Sequence, residues 1–246
     1  ECEAMEPTTT KRDRREISGE TFRHLTIALI TAGLFIWFSV VSNGFFSFNT
    51  VMNILRQAAP TALAAIAMTM IMLTGGIDLS IGSVIALSAA VGALAMQAMG
   101  AANPILVGIL GIAVTILIAV LLGFVNGAAV GCLKMAPFIV TLATMSLARG
   151  LTQTITGSSR VIIENSLYNF VSQTDLLGCV PTSVILVVVA YVAAYLLLNR
   201  MTFGRRTYAI GDNPTAAKAS GIQVARHTLQ VYIVAGIFIG LATIVI

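Results

Sequence analysis

At residues 75–80 the sequence reads GGIDLS, and this short polar stretch interrupts an almost wholly apolar run over residues 60–99. As one continuous α-helix, that run would be about 60 Å long, roughly twice the thickness of the hydrocarbon core of a bilayer. The run must therefore break, and Gly75-Gly76 can end a helix because glycine tolerates positive φ angles. Asp78 is the only acidic residue between positions 20 and 164. An ionisable side chain near membrane depth is a candidate functional residue, because lipid does not tolerate it.

The composition is that of an integral membrane protein. The 246 residues are 57% hydrophobic and 10% charged, whereas soluble domains carry about 25% charged residues. The apolar stretches are continuous and lack the alternation over about ten residues that β-barrel strands show. Glycine, alanine, serine and threonine are abundant, and small residues let membrane helices approach closely. The sequence therefore predicts an all-α fold, a polytopic bundle of transmembrane helices.

Seven apolar segments are predicted to span the membrane. They cover residues 25–41, 60–73, 81–99, 104–132, 137–155, 183–198 and 229–246. A polar cytoplasmic arm over residues 1–24 precedes the first span, and an interfacial stretch from Asn49 precedes the second. Residues 25–246 are expected to form one transmembrane domain, with a cytoplasmic loop over 199–228. The last segment is still apolar at Ile246, so the sequence is expected to be truncated from a protein with more spans.

Basic residues orient the predicted spans, because cytoplasmic loops are enriched in lysine and arginine. With the N-terminus in the cytoplasm, eleven of the fourteen basic residues fall on the inner side, in residues 11–23, at Lys134 and in residues 200–226. The other three are Arg56, Arg149 and Arg160. Arg149 lies near the end of the fifth span, so its side chain either snorkels outward or faces the bundle.

The polar break at residues 75–80 has two interpretations. In one, it is a cytoplasmic hairpin between two spans, and Asp78 or Ser80 caps the following helix by accepting its free amide hydrogens. In the other, it is a broken or re-entrant helix that lines a transport pathway, as in many transporters. The residues of the break alone leave both interpretations open.

A second informative stretch lies within the predicted loop over residues 199–228. Asn213 is a favourable N-cap, Pro214 suits a first helical turn, and Gly221 suits a helix stop. The residues between them are mostly small, and a short helix of small residues can dock into a groove on a partner. The alternative is a solvated loop whose basic residues only determine topology.

Three strings of sequence carry a resemblance to a known family. They are TGGIDLSIGSV at 74–84, PFIVTLATMSLARG at 137–150 and FGRRTYAIGDNPTAAKASGI at 203–222. In this order they resemble the ribose-type (simple-sugar) permeases of ATP-binding-cassette importers, which are related to the branched-chain amino acid permeases. The resemblance implies about ten spans, a homo- or heterodimer around a central pathway, and a place in the bacterial cytoplasmic (inner) membrane.

The resemblance also implies a function. The chain would be the membrane subunit that translocates a ribose-like pentose or a hexose by alternating access. A separate cytoplasmic ATPase would use the ATP, and an extracytoplasmic binding protein would deliver the sugar. The sequence contains no G-x-x-x-x-G-K-[ST] motif and no catalytic arrangement of residues. We therefore expect no enzymatic activity, cofactor, metal or nucleic-acid partner for this subunit.

Two sets of candidate residues follow from the matching strings and the polar positions in the spans. The substrate-pathway set is Gly75, Gly76, Asp78, Ser80, Asn126, Thr141, Thr144 and Arg149. The ATPase-coupling set is Gly204, Arg205, Gly211, Asn213, Ala216, Ala217, Gly221 and Ile222.

Other transport functions remain as alternatives. The spans offer hydroxyl and amide groups but few charges, which suits a neutral sugar better than an anion. A permease for branched-chain amino acids or nucleosides would share the fold. An ion-coupled secondary transporter usually needs carboxylates within the membrane, and Asp78 is the only candidate for that role.

Overall fold

The computed structural model describes residues 12–41, 44–45, 47–100, 103–159, 161–163, 165–176 and 180–246. Residues 1–11 of the predicted polar arm lie outside these ranges, as does Arg160, which the charge pattern assigned to the outer side. The chain divides into two compact units, one that ends at Val51 and one that covers Met52–Ile246.

The first unit is dominated by one long helix, α1, over Arg12–Val41. The helix begins inside the predicted polar arm, so residues 12–24 continue without interruption into the predicted first span. Only Phe22–Val41 is apolar enough to cross a membrane. Nearly all side chains of that segment are exposed, as expected of a helix whose surroundings are apolar.

The second unit is a bundle of helices with one small β-hairpin, and α2 begins just before it. The helices are α2 Phe48–Met72, α3 Ile81–Ala98, α4 Pro104–Gly127 with a π-helical turn Ala128–Cys132, α5 Pro137–Thr156, α6 Ser166–Gln173, α7 Thr182–Asn199, α8 Thr202–Asp212, α9 Pro214–Ala219 and α10 Val224–Ile244. The strands β1 Asp175–Leu176 and β2 Val180–Pro181 pair antiparallel. The predicted all-α, polytopic fold is confirmed.

Six helical segments of the described residues are long and apolar enough to cross a membrane: Phe22–Val41, α2, α3, α4 with its π-helical turn, α7 and α10. The predicted fifth span forms as α5, a helix of 20 residues, but it is not among the six because several threonines and Arg149 make it more polar. The chain is thus a multi-pass membrane protein.

Two predicted boundaries are wrong. The interfacial stretch expected from Asn49 is part of α2, which runs through Pro60 as one helix. The last span starts at Val224, five residues before the predicted start at Leu229. In both places, polar residues extend a helix beyond its apolar part, and hydropathy alone does not detect such extensions.

Close helix packing in the second unit depends on glycines where α10 crosses α4. A Cβ atom on Gly123 would lie 2.5 Å from the backbone oxygen of Tyr232. On the other helix, a Cβ on Gly236 would lie 2.9 Å from the backbone oxygen of Ala119. The two backbones therefore touch, which is the usual function of small residues in membrane bundles.

We expect Gly236→Val to destabilise the protein by about 1–3 kcal/mol, because the added side chain overpacks the contact between α10 and α4. The measurement is the thermal unfolding midpoint of the purified protein in detergent. Gly82→Val in α3 is the matched control, since a Cβ there meets no atom within 4 Å. Equal midpoints for the two variants would contradict the packing argument.

Candidate functional site

Helix α2 ends at the polar break, where two glycines form the C-terminal cap. Gly75 has a φ angle of +79°, and its amide donates to the carbonyl of Met72 at 2.9 Å. The amide of Gly76 donates to the carbonyl of Ile71 at 3.2 Å. These two bonds form a Schellman motif, which satisfies the last carbonyls of the helix. The chain therefore breaks at Gly75-Gly76, as the length of the apolar run predicted.

Asp78 caps the start of α3. Its Oδ1 atom accepts a hydrogen bond from the amide of Ser80 at 2.7 Å and another from the Ser80 hydroxyl at 2.6 Å. The side chain of Ser80 makes no cap bond of its own, so Asp78 is the capping residue of the two candidates. Burial raises the pKa of Asp78, and the hydrogen bonds from Ser80 and Asn126 oppose that shift.

In the break, the polar side chains are buried and the apolar side chains are exposed. Asp78 is 6% exposed and Ser80 is fully buried, whereas Ile77 is 47% exposed and Leu79 is 39% exposed. A hairpin surrounded by water would turn the aspartate out and the apolar residues in. The observed pattern suits a break whose outer surface contacts lipid or another apolar partner.

A buried chain of hydrogen bonds extends from the break across α4 to α5. The Thr144 hydroxyl donates to Oδ1 of Asn126 at 2.6 Å, and Nδ2 of Asn126 donates to the Ser80 hydroxyl oxygen at 3.1 Å. Ser80 donates in turn to Asp78. Each group therefore donates to the next, and four residues of the predicted pathway set form one network. Such networks rigidify the core only while every member is satisfied.

Two further groups adjoin the break. The Thr141 hydroxyl lies 3.3 Å from the carbonyl oxygen of Ile77 and donates to the carbonyl of Pro137 at 2.9 Å. The hydroxyl of Tyr232 is buried and has no hydrogen-bond partner among the described residues. A Cβ on Gly76 would lie 3.2 Å from that hydroxyl, so the absence of a side chain at Gly76 makes room for the tyrosine.

Arg149 is not part of this cluster. The residue is exposed on α5 and makes no hydrogen bond or ion pair with any other described residue. The structure thus brings together Gly75, Gly76, Asp78, Ser80, Asn126, Thr141 and Thr144 and leaves Arg149 apart.

The predicted short helix after Asn213 is present as α9. Asn213 Oδ1 accepts hydrogen bonds from the amides of Thr215 and Ala216, each at 3.0 Å. Gly221 has a φ angle of +83° where the chain turns toward α10. Ala217 is buried, whereas Thr215 and Ala216 are exposed. The helix therefore has an exposed surface of small residues.

The residues before Asn213 form helix α8, which the sequence did not predict. Gly204 and Gly211 are the contact points of this helix. A Cβ on Gly204 would lie 1.8 Å from the carbonyl oxygen of Leu198 in α7, and one on Gly211 would lie 2.0 Å from the carbonyl oxygen of Leu73. Leu73 immediately follows α2, so α8 lies against the end of α2 next to the break.

A second contact holds α8 to α10. The Thr207 hydroxyl and Nε2 of His227 are 2.9 Å apart and share a hydrogen bond, and both residues are buried. The ring of Phe203 packs on the same histidine, with 4.9 Å between the ring centroids. One helix therefore connects α7, α10 and the end of α2.

Two predicted pathway residues, Gly75 and Gly76, and two predicted coupling residues, Gly221 and Ile222, line one cleft of about 950 Å³. Its lining includes Gly75, Gly76, Lys134, Lys218, Ile222 and Tyr232. The π-helical turn after α4 forms another part of its wall, and such turns are frequent at functional sites. No acidic side chain lines the described part of the cleft, so its two lysines and Arg226 make it basic.

Sequence reasoning missed a polar cavity at the opposite end of α10, with a volume of about 400 Å³. Polar residues of its lining include Thr152, Thr156, Ser159, Tyr168, Asn169 and Thr243. The Tyr168 hydroxyl donates to the carbonyl of Thr243 at 3.1 Å. Burial raises the pKa of Tyr168 to about 12, so the phenol remains a donor at neutral pH.

The short helix α6 shapes this cavity. Oδ1 of Asn165 accepts the amides of Leu167 and Tyr168, and Nδ2 donates to the carbonyl of Pro104 at 2.8 Å. The cap residue Asn165 was the available sequence signal, but a helix of eight residues gives too short a pattern to stand out. No group of three or more histidine, cysteine, aspartate or glutamate residues that could hold a metal ion occurs in the described parts of the chain.

The chain is similar in sequence to known transport permeases. Residues 50–246 match the family described as the permease component of branched-chain amino acid transport systems. The chain is 41% identical over 215 residues to the ribose import permease protein RbsC of Bacillus subtilis (strain 168), covering 85% of this chain and 65% of that protein.

Two Escherichia coli (strain K12) proteins are similar as well. The ribose import permease protein RbsC is 35% identical over 223 residues, which cover 84% of this chain and 64% of that protein. The galactofuranose transporter permease protein YtfT is 36% identical over 200 residues, which cover 81% of this chain and 56% of that protein. The chain thus spans just under two thirds of the length of the ribose permeases it matches. No solved structure matches it significantly.

We expect Thr144→Val to destabilise the protein by about 1–3 kcal/mol, because Oδ1 of the buried Asn126 loses its donor. Thr154→Val is the matched control in the same helix, since the Thr154 hydroxyl is exposed and bonds only to the carbonyl of Gly150. Thermal unfolding of both purified variants is the measurement. A loss for Thr154→Val as large as for Thr144→Val would contradict the network.

Proposed function

The chain belongs to the family of permease components of branched-chain amino acid transport systems, and on that basis we propose that it is the membrane subunit of an ATP-binding-cassette importer for a simple sugar. The relatives described above are named as permeases for ribose and galactofuranose. The proposed substrate is accordingly a neutral pentose or hexose, and the proposed location is the bacterial cytoplasmic (inner) membrane.

The uncharged polar lining of the cavity beside α6 is the observation that supports a sugar as the substrate. Its hydroxyl and amide groups can pair with sugar hydroxyls, and no charged side chain occurs in the described lining. A branched-chain amino acid carries an ammonium and a carboxylate group. Such charges are costly to bury without opposite charges. The lining therefore favours a sugar over an amino acid.

The proposed energy source is a separate ATPase that binds at α9. The exposed small residues of α9 suit insertion into a groove on that partner. Because Gly211 of α8 lies directly against the carbonyl of Leu73, a displacement of α8 toward the end of α2 would press on Leu73 and the break beside it. In this proposal ATP binding moves these helices and thereby alternates the access of the pathway.

The remaining partners follow from the same proposal. An extracytoplasmic binding protein would deliver the sugar near the cavity beside α6, and a second permease subunit would complete the pathway. The α9 end of the bundle would then face the cytoplasm, together with the N-terminus. The chain itself would need no cofactor, because the ATP is bound and hydrolysed by the partner.

We expect Ala216→Glu to reduce ATP-driven sugar uptake at least tenfold, because a long charged side chain would obstruct the exposed face of α9. The measurement uses vesicles reconstituted with the permease, its ATPase and its binding protein. Ala216→Ser keeps the residue small and should retain uptake. Normal uptake by Ala216→Glu would contradict the docking role, and proton-driven uptake without an ATPase would overturn the whole proposal.

We expect Asn169→Leu to weaken sugar uptake severalfold, because the cavity loses an amide that can pair with sugar hydroxyls. Gln153→Leu is the matched control, since Gln153 is an exposed amide residue of α5 outside the cavity. Uptake as a function of sugar concentration is measured in the same vesicles. If both variants transport alike, the cavity does not contact the substrate.

A further inference from the structure

A second groove lies where α8 meets the start of α10 and has a volume of about 630 Å³. Three arginines line it, Arg205 and Arg206 from α8 and Arg226 from α10. The other polar residues of its lining are Thr202, Ser220, Gln223, His227 and Gln230. The groove adjoins the cleft described above and shares Gly221, Ile222, Gln223 and Arg226 with it. Arg205, Gly221 and Ile222 also belong to the predicted coupling set, but the docking proposed above depends on the exposed small residues of α9 and does not require three arginines.

The charge of this groove is not neutralised by the protein. In the described residues the only ion pair joins Arg56 to Asp175, and neither residue lines the groove. No aspartate or glutamate occurs in the lining. Like charges in one groove repel each other, so the groove favours a bound anion.

The backbone adds hydrogen-bond donors at the same place. Helix α10 begins after Gln223, whose side chain makes no cap bond. In the described structure, the amides of Ala225 and Arg226 have no hydrogen-bond partner. Of these two residues, Arg226 lines the groove and Ala225 lines the adjoining cleft. A helix N-terminus with free amides attracts anions, and phosphate groups in particular. The arginines and the helix start therefore favour the same class of ligand.

The exposed surface of α10 that continues from the groove indicates which anion the groove can bind. Gln223, Arg226 and Gln230 are exposed and lie on one face of α10, over about 10 Å of helix. Ile237, two turns farther along the same face, is 40% exposed and apolar. A polar end followed by an apolar surface matches the headgroup and acyl chains of a lipid. A soluble protein does not reach along the side of a membrane-spanning helix.

We propose that this groove binds the phosphate group of an acidic phospholipid. The planar guanidinium groups of Arg206 and Arg226 can each donate two hydrogen bonds to phosphate oxygens, and basic pockets beside membrane helices suit acidic headgroups. The bound lipid bridges α8 and α10 next to the bond between Thr207 and His227. It therefore stabilises the junction that connects α8 to the bundle.

The test compares lipid binding by the purified chain in a neutral detergent, measured by native mass spectrometry and thermal unfolding. Phosphatidylglycerol is added, with phosphatidylcholine of the same acyl chains and inorganic phosphate as separate arms. We expect phosphatidylglycerol to bind and to raise the unfolding midpoint, and the double substitution Arg206→Gln/Arg226→Gln to weaken that binding at least tenfold. Arg200→Gln is the matched control, because Arg200 is exposed at the end of α7 and outside the groove.

Each contrary result overturns the proposal in a different way. Equal loss of binding in the control would mean that diffuse surface charge attracts the lipid. Equal binding of phosphatidylcholine would mean that headgroup charge is not recognised. Saturation by inorganic phosphate, with displacement of the lipid, would identify a free-anion site. Loss of ATPase binding without loss of lipid binding would identify a contact with the partner protein.

Should the double variant fail to fold, Arg226→Lys is tested instead. It keeps the positive charge and removes only the planar guanidinium group. We then expect a severalfold weaker affinity for phosphatidylglycerol with the unfolding midpoint of the lipid-free protein unchanged. Affinity equal to that of the unsubstituted protein would contradict recognition by the guanidinium group.

Discussion

The hydrogen bonds that close the break between α2 and α3 are the constraint on which the rest of the second unit depends. A bilayer is too thin for the apolar run to remain one helix, and it offers no water to the backbone groups that a break exposes. The Schellman bonds of Gly75 and Gly76 satisfy the end of α2, and the Asp78 carboxylate satisfies an amide at the start of α3. The remaining donors of this region lead inward through Ser80 to Asn126 and Thr144.

The break also determines where the other helices can pack. Gly76 leaves space for the hydroxyl of Tyr232, and Gly211 lets α8 touch the carbonyl of Leu73. The contact between Gly211 and Leu73 joins two backbones, which cannot yield as a flexible side chain can. A displacement of α8 is therefore passed directly to the residues beside the break, which is the physical basis for the proposed coupling. The hydrogen bond between Thr207 and His227 joins α8 to α10.

Sequence reasoning succeeded where local chemistry decides the structure. The break follows from helix length and two glycines, and α9 follows from the cap at Asn213, the proline after it and the stop at Gly221. Helix α8 was missed because its two glycines disfavour a helix, and its helical form depends on packing against distant residues. The bond between Asn126 and Ser80 joins positions 46 residues apart, and no local pattern encodes such a contact. Arg149 was selected only because it lies within a matching string, and the structure places it on an exposed surface.

The two interpretations of the break make different demands on the surroundings of Asp78. A cap on a water-facing hairpin is stabilised equally well by an exposed carboxylate, which avoids the cost of desolvation. Here Asp78 and Ser80 point inward, while Ile77 and Leu79 point outward. An arrangement of this kind is stable only if the outside is apolar and the inside supplies enough donors. Asp78 therefore caps α3 and also anchors the network that holds α4 and α5 against the break. Because that network ends at the break, removing the carboxylate would leave Ser80 without its acceptor and would loosen the same helices that a substrate pathway must position.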